Sequence, residues 1–116
     1  MKPKCVLLCG PTLYRDKELQ RKLRQSYRLI TERDETQIEK LLKSCKVDLL
    51  LLEIKDDKSC GLHPIKKIKD ISPDLNVFII NGNQNTISRA FENGANDAFR
   101  NPYKTDLILE RISMFI

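Results

Sequence analysis

A chain of 116 residues can bury one hydrophobic core but is short for two domains. Its 21 Lys and Arg against 16 Asp and Glu leave a formal charge of +5, with both signs mixed along the chain. That excess permits an acidic partner without demanding nucleic acid. No apolar run approaches a membrane span, and Lys2-Pro3-Lys4-Cys5 opens no secretory signal, so a cytoplasmic protein without membrane association is expected.

From the amino terminus, Lys4-Cys5-Val6-Leu7-Leu8-Cys9 is an apolar run closed by Gly10-Pro11, which predicts a central strand. Asp16 is the expected N-cap of the first helix, with Leu19 and Leu23 on its inward face. Tyr27 to Thr31, shorter and more polar, predicts an edge strand. A second helix is expected from Glu35 to about Cys45, with Ile38, Leu41 and Leu42 inward.

Val47-Asp48-Leu49-Leu50-Leu51-Leu52-Glu53-Ile54 is the most informative stretch. Four consecutive leucines cannot form a half-exposed strand, which would alternate apolar and polar residues. The run suits a strand covered on both faces, and it is too short for a buried helix. Gly61 and Pro64 punctuate the start of a third helix that carries Ile65 and Ile68 inward and stops at Ser72-Pro73-Asp74. Asn76 to Ile80 predicts a fourth strand, and Thr86 to Asn93 a fourth helix ended by Gly94 in the left-handed conformation. Ala98 and Phe99 lie in a short fifth strand. After Asn101-Pro102 a fifth helix runs from Thr105 to the end, with Ile108, Ile112, Phe115 and Ile116 available to the core and Leu107 and Met114 on a displaced flank.

Five strands alternating with five helices imply an α/β fold, a three-layer, doubly wound, five-stranded parallel sheet. The flavodoxin-like order 2-1-3-4-5 follows, because strands one, three and four are the apolar central ones. Residues 1–116 form a single domain, one that a longer parent chain could continue. In such sheets chemistry gathers outside the carboxyl ends of the strands, where Glu53 stands. Cys9, Cys60 and His63 fall towards one end of the sheet, but no CxxC or HxxxH spacing supports a metal site.

In this order of elements the chain resembles a receiver domain of two-component phosphorelay signalling over essentially its whole length. Val47 to Ile54 with Gly61 resembles the family's third strand and the loop beyond its phosphoacceptor. Asn93-Gly94-Ala95-Asn96-Asp97-Ala98-Phe99 resembles its Gly-Ala-x-Asp stretch, and Asn101-Pro102-Tyr103 stands where the family has Lys-Pro-Phe. The resemblance implies a cis bond between Asn101 and Pro102. The family's reagents, however, are replaced one by one. Glu53 stands at the phosphoacceptor Asp, and Cys9 and Gly10 fill the region of the metal-holding acid pair. Asn81 replaces the Thr or Ser ending strand four, Asn101 the Lys ending strand five, and Ala98 the switch aromatic.

Mg²⁺ demands carboxylates and water in near-octahedral array, and phosphoryl transfer needs neutralisation of the transferring oxygens. Glu53 alone offers one charged ligand; Asp56 and Asp57 could bend towards it but read more simply as solvated loop acids. The expected function is therefore that of a pseudo-receiver acting by protein–protein contact, not an enzyme, with Mg²⁺ binding weak or absent. The alternative is an active receiver phosphorylated on Glu53 with an atypical metal site. Glu53 itself reads either as a fixed charge holding one conformation or as a lone solvated carboxylate.

Surfaces then carry the function. Lys17, Arg21, Arg24 and Arg28 would share a face if the first helix reached Arg28, and Leu107 and Met114 offer an apolar flank. The resemblance implies partners among histidine kinases, phosphotransfer domains or a fused output domain, and a homodimer through the helix four, strand five and helix five face. Direct nucleic-acid binding is not expected, since no helix-turn-helix segment remains once the five helices are assigned.

Overall fold

The leucine run is the centre of the molecule. A computed structural model describes residues 3–54, 62–81 and 83–116, excluding the side chains of residues 62–64 and of Asn81. In it Leu49–Glu53 forms β3, the middle strand of a parallel sheet ordered β2-β1-β3-β4-β5. Its neighbours are β1 (Cys5–Cys9) and β4 (Asn76–Asn81); β2 (Arg28–Glu32) and β5 (Asp97–Arg100) are the edges. The predicted strand order and the polar edge at β2 both hold.

Successive leucines serve opposite layers, as the two-residue period of a strand requires. Leu49 and Leu51 join Val6, Leu8, Phe78 and Ile80 in a core roofed by α1 (Pro11–Arg15), α2 (Lys17–Arg24) and α6 (Thr105–Phe115). Leu50 and Leu52 join Leu7, Cys9, Val77 and Ile79 on the other face, under α3 (Ile38–Ser44), α4 (Leu62–Ile71) and α5 (Gln84–Glu92). All four leucines are fully buried. Phe78 meets the Phe115 ring edge-on at 4.9 Å between centroids, so Phe115 closes the α6 layer although its outer surface stays exposed.

The predicted first helix is α2. Asp16 caps α2, as expected, by accepting from the Leu19 amide at 3.0 Å, but a separate helical turn, α1, precedes it. The helix also stops at Arg24, and Arg28 is the first residue of β2, so the four-residue basic face expected from the spacing loses Arg28. The second predicted helix opens as a 3₁₀ turn, Glu35–Gln37, before α3. Gly94 takes φ 109° after α5, and the Asn101–Pro102 bond is cis. The expectations for Asp56, Asp57, Cys60 and Gly61 lie outside the described residues, as does that for the His63 side chain.

Buried and exposed apolar positions should respond differently to truncation. Leu51→Ala empties a site with no exposed surface and should cost about 3 kcal/mol. Leu107→Ala on exposed α6 surface should stay within about 0.5 kcal/mol. Urea unfolding of both variants measures this.

Candidate functional site

Glu53 ends β3 beside Cys9, which ends β1, and both open onto the carboxyl ends of the strands. The chain leaves β1 through Gly10 at φ 139°, a conformation that side-chain-bearing residues rarely adopt, and then turns at once into α1. Pro11 suits the first helical position, since its missing N–H would have no partner there. Gly10 stands at the N-cap but has no side chain to bond the free amides of the first turn.

Glu53 supplies that cap from another strand. Its Oε1 accepts from the Thr12 amide at 2.9 Å and from the Leu13 amide at 3.2 Å, while the Thr12 hydroxyl donates to Oε2 at 2.8 Å. These are the second and third helical amides, the ones an N-cap side chain ordinarily serves. The half-buried carboxylate is therefore neither lone nor merely solvated, which corrects that reading. The approach also accounts for the glycine: a Cβ on Gly10 would lie 2.4 Å from the Glu53 Cβ.

The far end of α1 is held as firmly. Gln20, the one buried polar side chain among the described residues, donates from Nε2 to the Leu13 carbonyl at 2.9 Å and to the Tyr14 carbonyl at 2.8 Å. Asp16 caps α2 with one oxygen and accepts the Tyr103 hydroxyl on the other. Burial and the Asp16 charge together push the Tyr103 phenol well above its usual range. Pro11, Thr12, Arg15, Asp16 and Tyr103 line an open groove of about 380 Å³ beside this junction.

Cys9 has no exposed surface, and burial pushes its thiol up to about 12, with Glu32, Glu35, Asp34 and Glu53 adding to the effect. It is thus a packed, protonated thiol rather than a nucleophile. Glu32, Asp34 and Glu35 are acids near this end that the sequence reading passed over. Glu32 ends β2, the neighbour of β1, and Asp34 and Glu35 follow it, a placement that only strand order could reveal. Glu32 accepts from the Arg33 and Asp34 amides at 2.8 and 3.0 Å, and Asp34 caps the 3₁₀ turn through the Thr36 amide. Among the described residues no three His, Cys, Asp or Glu side chains are arranged to hold a metal ion.

The remaining candidates scatter. Asn81 pairs with Arg100 in the β4–β5 register, and Asn101 is exposed just beyond. Ala98 packs against the α3–α5 layer. Lys17, Arg21 and Arg24 are exposed on α2, and Leu107 and Met114 are 42% and 71% exposed on α6. Phe91 on α5, 46% exposed, is an apolar surface residue that the sequence reading did not select. No helix among the described residues is long and apolar enough to cross a membrane.

A five-stranded parallel sheet in this order, with its candidate site outside β1 and β3, is the response regulator receiver (CheY-like) fold. A receiver domain protein of Methanospirillum hungatei JF-1 superposes with a TM-score of 0.85 at 17% identity, covering 97% of this chain and 93% of that one. An orphan response regulator of H. pylori gives 0.82 at 22% identity, covering 96% and 94%. The signal receiver domain of an HD domain-containing protein from Pseudomonas fluorescens Pf-5 gives 0.79 at 21%, covering 98% and 94%. At these identities the likeness is one of fold. No family model and no curated protein matches the sequence.

Two outcomes test the capping geometry. Glu53→Ala should cost about 2 kcal/mol of unfolding free energy, from the charged acceptor and the helix cap together. Glu53→Asp, shorter by about 1.5 Å, should recover less than half of it, since its oxygens fall short of the amides. The Cys9 thiol gives a pH effect. Its folded pKa lies above the ordinary 9.0, so the unfolded chain loses this proton first and stability falls as pH rises from about 9 towards about 12. Denaturation midpoints at pH 8 and pH 11 should therefore separate more in the wild type than in Cys9→Ala.

Proposed function

We propose that this chain is a receiver-like module of two-component phosphorelay signal transduction that acts by protein–protein contact, without metal-dependent aspartyl phosphorylation. The observation that supports this most is the three-bond engagement of Glu53 by Thr12 and Leu13. Active receivers hold Mg²⁺ with acids at the end of the first strand and the phosphoacceptor of the third. Here the first strand ends in a protonated thiol and a glycine, and the carboxylate that ends β3 is committed to the α1 amides.

That donor set does not fit a hard, octahedral cation. Among the described residues Glu53 is the one carboxylate at the end of β3, and recruiting it would strip α1 of its cap. Asn101 lacks the positive charge that the resembling family places there, so a second counter-charge for a phosphoryl group is also missing. Asn81 and Ala98 lack the hydroxyl and the ring that transmit the family's switch. Glu53 is on this reading a fixed charge that holds a single conformation.

Contact with another protein then carries the activity. Histidine kinases, phosphotransfer domains and a fused output domain are the partner classes the fold suggests, in the cytoplasm. The exposed Phe91, Leu107 and Met114 lie on α5 and α6, the helices flanking β5, which favours that side for a homodimer or an output contact.

The test is an NMR titration of ¹⁵N-labelled protein with Mg²⁺ and beryllofluoride, followed by incubation with a small-molecule phosphodonor. Amides of Thr12, Leu13 and Glu53 should keep their positions and no phosphoryl group should be retained. Saturable shifts centred on Glu53, or an acyl phosphate on that residue, would establish the active-receiver alternative instead.

A further inference from the structure

The positive charge of this molecule is not spread evenly. Residues 11–33 hold seven of the Lys and Arg but only three of the Asp and Glu, so four of the five net positive charges fall in this segment. Each of the three acids is already engaged. Asp16 caps α2, Glu18 pairs with Lys22 at 3.5 Å, and Glu32 accepts two backbone amides.

The cations of the segment divide in the same way. Lys22 turns towards α6, where it meets Asp106 at 3.4 Å. Lys17, Arg21 and Arg24 stand at spacings of four and three on the other flank of α2, exposed and without an acidic partner among the described residues. Lys17 continues onto a ring: its Nζ lies 5.8 Å from the centroid of Tyr14, and the Arg33 guanidinium lies 5.4 Å from the same centroid. Tyr14 is 37% exposed and rides on α1, which Glu53 and Gln20 fix at its two ends.

We propose that Arg33, Tyr14, Lys17, Arg21 and Arg24 form one continuous docking surface for an acidic segment of a protein partner. Charge complementarity selects the occupant: a surface of one sign, with no internal counter-charges, attracts and orients a segment of the opposite sign. Two exposed cations elsewhere are paired within the chain, Lys67 with Glu39 at 2.9 Å and Arg111 with Asp97 at 3.2 Å. Tyr and Arg supply much of the binding energy of protein interfaces, and this ring is held between two cations before any partner arrives.

Dimensions favour a peptide segment over a nucleic-acid duplex. The row from Lys17 to Arg24 spans about 10 Å of helix. Exposed Glu18 neighbours Lys17 in the row, and exposed Asp34 and Glu35 follow Arg33 in the chain, a rim of acids that repels an extended polyanion. A segment with a few carboxylates and an apolar contact for the ring fits within that rim.

This inference rests on the contact-module reading and adds the chemistry of the partner. Its test titrates ¹⁵N-labelled protein with a 15-residue peptide of Glu and Leu at helical spacing, at 50 and 300 mM salt. Amide shifts should cluster on residues 14, 17, 21, 24 and 33, with affinity falling at least fivefold at the higher salt. The doubly substituted R21E/R24E protein should bind at least tenfold more weakly, Y14A about threefold, and K40E/K43E on the opposite layer like the wild type. Shifts centred elsewhere, or equal losses in K40E/K43E, would overturn the proposal. So would tighter binding of a 20-base-pair duplex or of phosphatidylserine vesicles than of the peptide. R21Q/R24Q, checked by circular dichroism, repeats the comparison should the charge reversal disturb folding. Glu53-centred shifts with beryllofluoride would count against the contact-module reading alone, leaving the location of the surface to the peptide titration.

Discussion

One carboxylate and one helical turn hold the functional end of this molecule together. A helix begins with amides that have no partner inside it, and α1 begins at a glycine that cannot supply one. Glu53 reaches across from the central strand and fills the vacancy with Oε1, while its Oε2 accepts the Thr12 hydroxyl. The demand runs in both directions. A half-buried carboxylate left without donors would be costly to fold, and so would amides left without an acceptor. The close approach of the two segments fixes Gly10 as well, because any Cβ there would overlap the Glu53 side chain.

The same turn links parts of the chain that are far apart in sequence. Its amides bind β3, its carbonyls bind Gln20 of α2, and the Asp16 corner that follows accepts Tyr103 from the segment before α6. Three segments of the chain thus meet around five helical residues. A turn so short would not persist alone, since helix nucleation is unfavourable and five residues provide few internal bonds. Tertiary hydrogen bonds make it, and for that reason α1 is better regarded as part of the β3 terminus than as an independent helix.

Much of the fold was legible because packing leaves a periodic record. The four leucines between Val47 and Glu53 could only be a strand buried on both faces, and the structure distributes them alternately to the two core layers. Asp16 as a cap and Gly94 in the positive-φ region were legible from local chemistry. The α1 turn was not. Pro11-Thr12-Leu13-Tyr14-Arg15 shows no helical period over so few residues, and its cap comes from a residue 41 positions away. The acids Glu32 and Asp34 were missed for a related reason: they lie at and just beyond the end of an edge strand, and only the parallel β1–β2 register brings them near Cys9. Arg28 was wrongly extrapolated from spacing, which specifies a helical face only while the helix continues.

Glu53 acquires a physical sense from this geometry that a comparison of residue types cannot supply. Measured against the receiver pattern, Glu for Asp could be read as a small change of length within a phosphorylation site. The added methylene instead lets the carboxylate reach the second and third amides of a neighbouring helix while the β3 backbone stays in register with β4. Shortening it would withdraw the oxygens from donors that have no other acceptor. A cation drawn to the same carboxylate would compete with three hydrogen bonds, and the described residue that ends the neighbouring strand, Cys9, is a protonated thiol, a poor ligand for a hard ion. On the reading proposed above, the charge at the end of β3 serves α1 as its cap rather than a metal or a phosphoryl group.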